Sequence, residues 1–232
     1  MKYSIIIPVY NEANNIPIII KKICELLNKS RKTYEIIFVD DDSKDNSFNV
    51  FKKFKNQKTK FLKRIKKPRD LSKSVVYGFQ RAKYNNFVVM DGDLQHSPED
   101  LRKLMRLFER KNCDIIFGSR KLISYKKNNL SPLRFFASKL LNSLTNSMFG
   151  YNFKDPMSGF FIVKKNIFLK SKNKLFLLGY KILLDIIISS SKKIKIREMY
   201  INFKSREKGF SKMRLKILLQ LFLFLLIKFI TK

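Results

Sequence analysis

Histidine is almost missing from this sequence: His96 is the only one among 232 residues. A histidine-based nucleophilic triad, or a zinc site built on imidazoles, is thereby nearly excluded. Cysteine is almost as scarce. Cys24 and Cys113 show no metal-ligand spacing and make no disulfide framework, so both read as buried thiols of a reducing compartment. Acidic residues are few, 18 against 50 Lys plus Arg, which leaves a net charge of +32. A surface so positive attracts polyanions, either nucleic acid or anionic lipid headgroups. No recognised nucleic-acid-binding signature accompanies it, so nucleic acid is not the expected partner. No internal repeat is present. Pro8 and Asn11 interrupt the first apolar run at once, so no secretory leader is expected.

A secure membrane span is also lacking. Leu215 to Ile230 is almost wholly apolar but is broken by Lys216, Gln220 and Lys228. As a helix it would be ~24 Å long, short of the ~30 Å hydrocarbon core. Flanked by Lys212, Arg214 and Lys232, it reads as a helix lying in a membrane interface. A tilted or paired span, or a core helix of the domain, are the alternatives.

What is present is a set of apolar runs that end in acidic loops. Val88-Val89-Met90 drives into Asp91-Gly92-Asp93-Leu94-Gln95-His96. A short apolar run bounded by turn residues is the pattern of a buried strand. Its end delivers side chains to the rim of a sheet, where ligands of open α/β sheets bind. Asp91 and Asp93, with Gln95 two residues on, offer an oxygen-rich site for Mg²⁺ or Mn²⁺, ions that in such sites also hold substrate phosphates. A second run, Glu35 to Val39, stops at Asp40-Asp41-Asp42-Ser43. A third, Tyr3 to Ile7, ends at Pro8-Val9-Tyr10-Asn11-Glu12. Helical patterns separate them, at Ile16 to Leu27 and Ser47 to Phe54. Asn14 and Asn15 are candidate caps for the first, with Pro17 in its first turn. The β, α, β, α, β alternation predicts a parallel sheet with crossover helices. In that architecture the three loops share one sheet edge.

The motifs, taken in order, are Ile7-Pro8-Val9-Tyr10-Asn11-Glu12, Val39-Asp40-Asp41-Asp42-Ser43, Arg69-Asp70-Leu71-Ser72 and Met90-Asp91-Gly92-Asp93-Leu94-Gln95-His96. Then follow Gly118-Ser119-Arg120, Asp155-Pro156-Met157-Ser158-Gly159-Phe160-Phe161 and Arg206-Glu207-Lys208-Gly209-Phe210-Ser211-Lys212. Over roughly residues 3 to 213 the chain resembles family 2 glycosyltransferases of the GT-A fold, and among them the dolichyl-phosphate mannose synthases and related polyprenyl-phosphate transferases. Two positions depart from the family pattern. Asp42 stands where glycine is usual, and aspartate tolerates positive φ less well. Gly92 stands where alanine is frequent, a change expected to be harmless.

The resemblance implies a fold, a reaction and a set of roles. The fold is α/β, a mostly parallel sheet flanked by helices, with a membrane-interface helix at the C-terminus. Residues 1–212 form the transferase domain, 1–120 as the nucleotide-sugar half and 121–212 as the acceptor half, and 213–232 the membrane-associating helix. The reaction is inverting transfer of a hexose from a nucleotide sugar to a polyprenyl phosphate at the cytoplasmic face of a membrane. GDP-mannose and dolichyl phosphate are the leading pair, and a UDP-sugar donor is the alternative. A different class, a non-catalytic basic scaffold or nucleic-acid-binding module on the same fold, is opposed by intact Asp91, Asp93, Arg120 and Arg206. Asp91, Asp93 and Gln95 would hold the metal. Pro8, Tyr10, Glu12, Val39 and Asp41 would cradle base and ribose beside Gly92. Arg120, Arg134 and Ser138 would handle the acceptor phosphate. Arg206 and Lys212 belong to a basic loop that closes over the diphosphate around Gly209. Asp155 and Ser158 would shape the acceptor side, and Asp185 would orient a basic residue of the acceptor site. His96 is expected to pack near the metal motif or support it. A membrane partner subunit is an open expectation.

Overall fold

The computed structural model describes residues 1–65, 68–120, 132–177, 179, 181–190, 193–201, 223–228 and 230, with the side chains of 132–138 and 141 left aside. The first element is strand β1, Lys2–Val9, apolar at nearly every position. Such a run is what a strand buried on both faces requires. Its side chains alternate between two cores: Ile5, Ile7 and Val9 join one cluster and Ile6 the other. Helix α1, Ile16–Lys29, buries Ile16, Ile19, Ile20, Ile23 and Leu27, the three-and-four spacing of a single apolar stripe. Asn15 stands at its N-cap position but makes no side-chain cap. Its amide nitrogen donates instead to Glu12 Oε2 at 2.6 Å, and Glu12 O accepts the Asn15 and Ile16 N–H groups.

The remaining elements alternate up to the pair α6 and α7: β2 Thr33–Asp40, α2 Ser47–Phe54, β3 Thr59–Lys63, α3 Leu71–Arg81, β4 Asn86–Val89, α4 Pro98–Lys111, β5 Ile115–Arg120, α5 Pro132–Phe149, β6 Phe161–Lys164, α6 Lys165–Ser171, α7 Ile182–Ser189 and β7 Ile196–Ile201. The strands make one seven-stranded sheet in the order β3-β2-β1-β4-β6-β5-β7. All described pairings are parallel except those of β6, which runs antiparallel between β4 and β5. The sheet therefore takes strands from both sides of residue 120. The reversal of β6 has a consequence for the site. The turn that leads into its N-terminus arrives at the edge where β1, β2, β4 and β5 end.

Helix α3 lies tight on β1 and β2. A Cβ at Gly78 would come 2.6 Å from Ile6 Cγ2 and 3.1 Å from Val39 Cγ2, so only glycine lets helix and sheet approach this closely. Helix α4 begins by the rule: Ser97 Oγ accepts the Asp100 N–H at 3.0 Å, with Pro98 at the first position and Glu99 and Asp100 in the first turn.

The C-terminal residues 223–228 are helical and dock on the domain. Phe224 and Leu225 are each 1% exposed and join Phe149 and Leu184 in a third apolar cluster. Lys228 is buried with them. Its ammonium pairs with Asp185 at 2.7 Å and donates to Ser189 Oγ at 2.8 Å and to the Lys174 carbonyl. Asp185 in turn accepts the Phe176 and Leu177 N–H groups. Over these residues one face of the segment is core. The other carries exposed Leu223 and Leu226, with Ile230 beyond them. No helix among the described residues is long and apolar enough to cross a membrane.

Candidate active site

The loops after β1 and β2 are stitched together. Asn11 N–H donates to Ser43 Oγ at 2.9 Å and Lys44 N–H to Asn11 Oδ1 at 2.8 Å. Ala13 N–H donates to Asp45 Oδ2, Glu12 N–H to Ser47 Oγ, and Asp41 N–H to Val9 O. Asn11 and Asp42 both adopt left-handed backbone, with φ of 57° and 66°. The Asp42 conformation is the one for which glycine would be the easier residue, so the departure from the family pattern sits where backbone strain is real.

Asp41 is buried and braces β2 against α3. Its carboxylate pairs with Arg64 and accepts the Asp70 N–H at 2.8 Å. Burial pushes its carboxyl above the usual range, against the pull of Arg64. Asp70 then caps α3, accepting from Lys73 N–H at 3.1 Å and from Gly179 N–H at 2.6 Å. Tyr10, half-buried, carries the Arg69 guanidinium 4.2 Å above its ring centroid. Pro8 and Val39 face each other in the β1–β2 register, both buried. Val39 is wholly enclosed, so its side chain serves the core.

Asp91, just past β4, is partly exposed at this edge. His96 Nε2 lies 3.3 Å from its Oδ2. Asp93 Oδ1 accepts the Gln95 N–H at 3.2 Å, and Leu94 between them has a φ of 63°. The tight loop turns Asp91 and Asp93 out of the same strand end. A Cβ on Gly92 would come 2.9 Å from Val9 Cγ1, so an alanine there would make Val9 give way slightly.

Arg120 ends β5 beside it. Its Nε donates to Asp155 Oδ2 at 2.7 Å and its Nη2 to Asp155 Oδ1 at 3.2 Å, a fork that fixes the guanidinium plane. Burial pulls this guanidinium down, but Asp155 and the nearby Asp91 more than offset it, so it stays firmly charged. Glu198 of β7 supports the turn from behind, its Oε1 accepting the Lys154 and Asp155 N–H groups at 2.9 and 3.0 Å. Ser158 Oγ accepts the Phe160 N–H at 3.2 Å.

The residues present fit a hard divalent cation. The donors at this edge are carboxylate oxygens, with Gln95 buried beside them. No group of three or more His, Cys, Asp and Glu that could hold a metal exists among the described residues. A Mg²⁺ or Mn²⁺ ion is commonly held by one or two carboxylates, with water and phosphate at the other positions.

The edge thus gathers Pro8, Tyr10, Glu12, Val39, Asp41, Asp91, Gly92, Asp93, Gln95, Arg120, Asp155 and Ser158 from four strand ends and the β6 turn. Arg134 and Ser138 stand on α5, their side chains outside the description. Arg206 and Lys212 lie outside the described residues. Asp185 does orient a basic residue, but that residue is Lys228 of the C-terminal segment. Sequence reasoning passed over Arg64, Lys181 and Glu198, and gave Gly159, inside a quoted motif, no role. Lys181 is 5% exposed at the start of α7 and near the Phe224 ring. Burial, opposed by Asp70, holds its ammonium down at about 7.

The family model described as glycosyl transferase family 2 matches residues 4–171. The chain belongs to that family. Among curated relatives of this family 2 glycosyltransferase, the dolichol-phosphate mannosyltransferase of Pyrococcus furiosus is 34% identical over 95% of the chain, which spans 61% of that relative's length. The enzyme of the same name from Mycosarcoma maydis is 29% identical over 93% of this chain and 74% of its own. Among solved structures, glucosyl-3-phosphoglycerate synthase from Mycobacterium tuberculosis, in complex with Mn²⁺, uridine-diphosphate and phosphoglyceric acid, superposes with a TM-score of 0.74. The match covers 98% of this chain and 78% of that one at 15% identity, a likeness of fold.

Proposed function

We propose that this family 2 glycosyltransferase moves a hexose from a nucleotide sugar to a polyprenyl phosphate with inversion. GDP-mannose and dolichyl phosphate are the leading pair, in keeping with the mannosyltransferase relatives, and a UDP-sugar donor is the alternative. The observation that carries the reading is the Asp91–Asp93 strand end set beside an oriented Arg120–Asp155 pair whose carboxylate is buried.

In this reading Asp91, Asp93 and Gln95 hold Mg²⁺ or Mn²⁺. When bound, the cation stabilises the leaving diphosphate as a Lewis acid. The stitched β1 and β2 loops, with Tyr10, Glu12 and Asp41, form the seat for base and ribose beside Pro8, Val39 and Gly92. The acceptor phosphate is already ionised at neutral pH, so it attacks the anomeric carbon without a strong general base. It needs positioned cations. Arg120 supplies a fork held in plane by Asp155, and Arg134 and Ser138 of α5, with Arg206 and Lys212, are assigned to the same task by family resemblance. A rigid fork loses little freedom when it takes up phosphate, which favours the transition state over the free enzyme.

The setting is a membrane surface. Leu223, Leu226 and Ile230 are exposed on the outer side of the C-terminal segment, and Leu140 of α5 is exposed as well. With a net charge of +32 the chain is drawn to anionic headgroups, and these apolar side chains can enter the interface.

A donor screen tests the reading. The full chain is given GDP-mannose, UDP-glucose or another UDP-sugar, with one short polyprenyl phosphate, with and without Mn²⁺. Lipid-extractable sugar from one donor, only with the cation, is the expected result. Hydrolysis without lipid product from every donor would overturn it.

A further inference from the structure

Asp91 is held from two sides by residues to which the reaction assigns no task. One is His96. Its ring is 5% exposed and stacks on Phe160, centroids 4.6 Å apart and planes 20° apart. Phe160 is itself fully buried, and its N–H is fixed by Ser158 Oγ. The stack fixes the plane of the imidazole and so the direction of Nε2, which lies 3.3 Å from Asp91 Oδ2. A carboxylate oxygen can only accept, so this contact places a hydrogen on Nε2. The other is Gly159. A Cβ there would sit 3.0 Å from Asp91 Oδ2 and 3.1 Å from Oδ1, so the carboxylate rests directly on the glycine backbone.

These two contacts reach Asp91 from separate parts of the chain, the β4 loop and the turn before β6. Together they fix both rotation and translation of the carboxylate. Oδ1 takes no hydrogen bond among the described residues, and the Asp91 side chain keeps 31% of its surface exposed. The same turn, through Asp155, also fixes Arg120. One six-residue motif, Asp155 to Phe160, therefore sets the spacing between the anion and the cation of the site.

We propose that His96 is a positioning residue for the metal carboxylate: it donates from Nε2 to Asp91 Oδ2, and with the Gly159 backstop it presents Oδ1 to a divalent cation. The proposal rests on the reading of Asp91 as a metal ligand. A preset carboxylate binds a cation more tightly than a rotating one, because the rotor freedom is already lost and the ligand geometry is in place.

The test is Mn²⁺ alone, titrated into the full-length protein, with free Mn²⁺ read from its paramagnetic resonance. His96→Phe keeps a stacking ring and removes the donor. It is expected to weaken Mn²⁺ binding about 10-fold, within the range seen when a residue supporting a metal ligand is lost. His96→Gln restores an N–H near the Nε2 position and should recover most of the affinity. Gly159→Ala, which must push the carboxylate aside, should weaken binding similarly. Wild-type affinity within twofold in His96→Phe, while Asp91→Asn abolishes binding, would overturn the positioning role and leave the metal reading standing. Equal loss in His96→Phe and His96→Gln would show that packing, not the hydrogen bond, matters, and would overturn it too. Unchanged binding in Asp91→Asn would overturn the metal reading and the proposal together.

Discussion

Two aspartate–cation pairs in this molecule look alike in sequence and differ in use. Asp155 with Arg120 stands at the end of β5, and Asp185 with Lys228 stands where the C-terminal segment docks. Both carboxylates are almost wholly buried, and both also accept backbone N–H groups. The cations differ. The Arg120 side chain keeps 29% of its surface exposed at the sheet edge, whereas Lys228 keeps 8%. A sealed pair can only hold chain to chain. A pair with an open flank can turn toward a ligand, because its orientation is fixed while part of its charge still faces solvent. Breaking the first should therefore cost reaction rate, and breaking the second should cost stability.

The largest effect is expected from Asp155→Ala. Arg120 loses its fork, and Asp155 no longer ties Arg120 to the turn that carries Gly159. Turnover should fall on the order of 100-fold, the scale of losing one oriented transition-state donor, while thermal unfolding shifts far less. Steady-state kinetics beside a melting curve would show the split. A matching loss of melting temperature with normal turnover would reverse the comparison.

Lys228→Met comes next. Removing one partner of a buried pair leaves an uncompensated charge, at a cost of roughly 3–5 kcal/mol. In a chain of this size that lowers the melting temperature by about 10 °C. Asp185→Asn in the Lys228→Met background should lose less than the sum of the two single changes, because the stranded charge is gone. Equilibrium denaturation of the three variants checks this. The docked face of residues 223–228 also sets the result of deleting 215–232. The truncated chain should melt lower than the full chain even in detergent, since Phe224, Leu225 and Lys228 are taken from the core.

The smallest effect concerns Lys181. Its folded value, about 7, lies below the usual 10.5. The unfolded chain therefore binds more protons than the folded one between about pH 7 and 10.5, and stability from this group rises with pH across that window. Below pH 7 the penalty of the buried cation is fully present. Lys181→Met should then raise the melting temperature by about 2–4 °C near pH 6, with the gain fading toward pH 10. A gain independent of pH would assign it to packing alone.

The first part of the chain was legible in the sequence because its signals are local. The runs at Tyr3 to Ile7 and Glu35 to Val39 became the middles of β1 and β2, and the helices at Ile16 and Ser47 begin where the pattern put them. Parallel topology then fixed which loops meet. The rest was less legible because its decisive contacts join distant residues. Nothing in Phe161 to Lys164 says that this strand runs backward between β4 and β5, for an apolar run carries no direction. That reversal brings Gly159 against Asp91, a contact the acceptor-side reading of the motif did not foresee. Lys228 read as an interruption of an apolar run, yet it is the partner of Asp185. A lysine in such a run marks either a water-facing side or a buried pair, and spacing alone does not separate them.

The central claim is that the Asp91–Asp93 edge carries metal-dependent sugar transfer to a lipid phosphate. The most direct measurement is lipid-extractable hexose formed by the full chain and by Asp93→Asn, side by side, at saturating Mn²⁺ with a short polyprenyl phosphate. The account predicts product from the wild type and a loss of roughly 1,000-fold or more in a variant that melts normally, since one missing charge weakens cation and diphosphate together. Near-wild-type product from Asp93→Asn would contradict it.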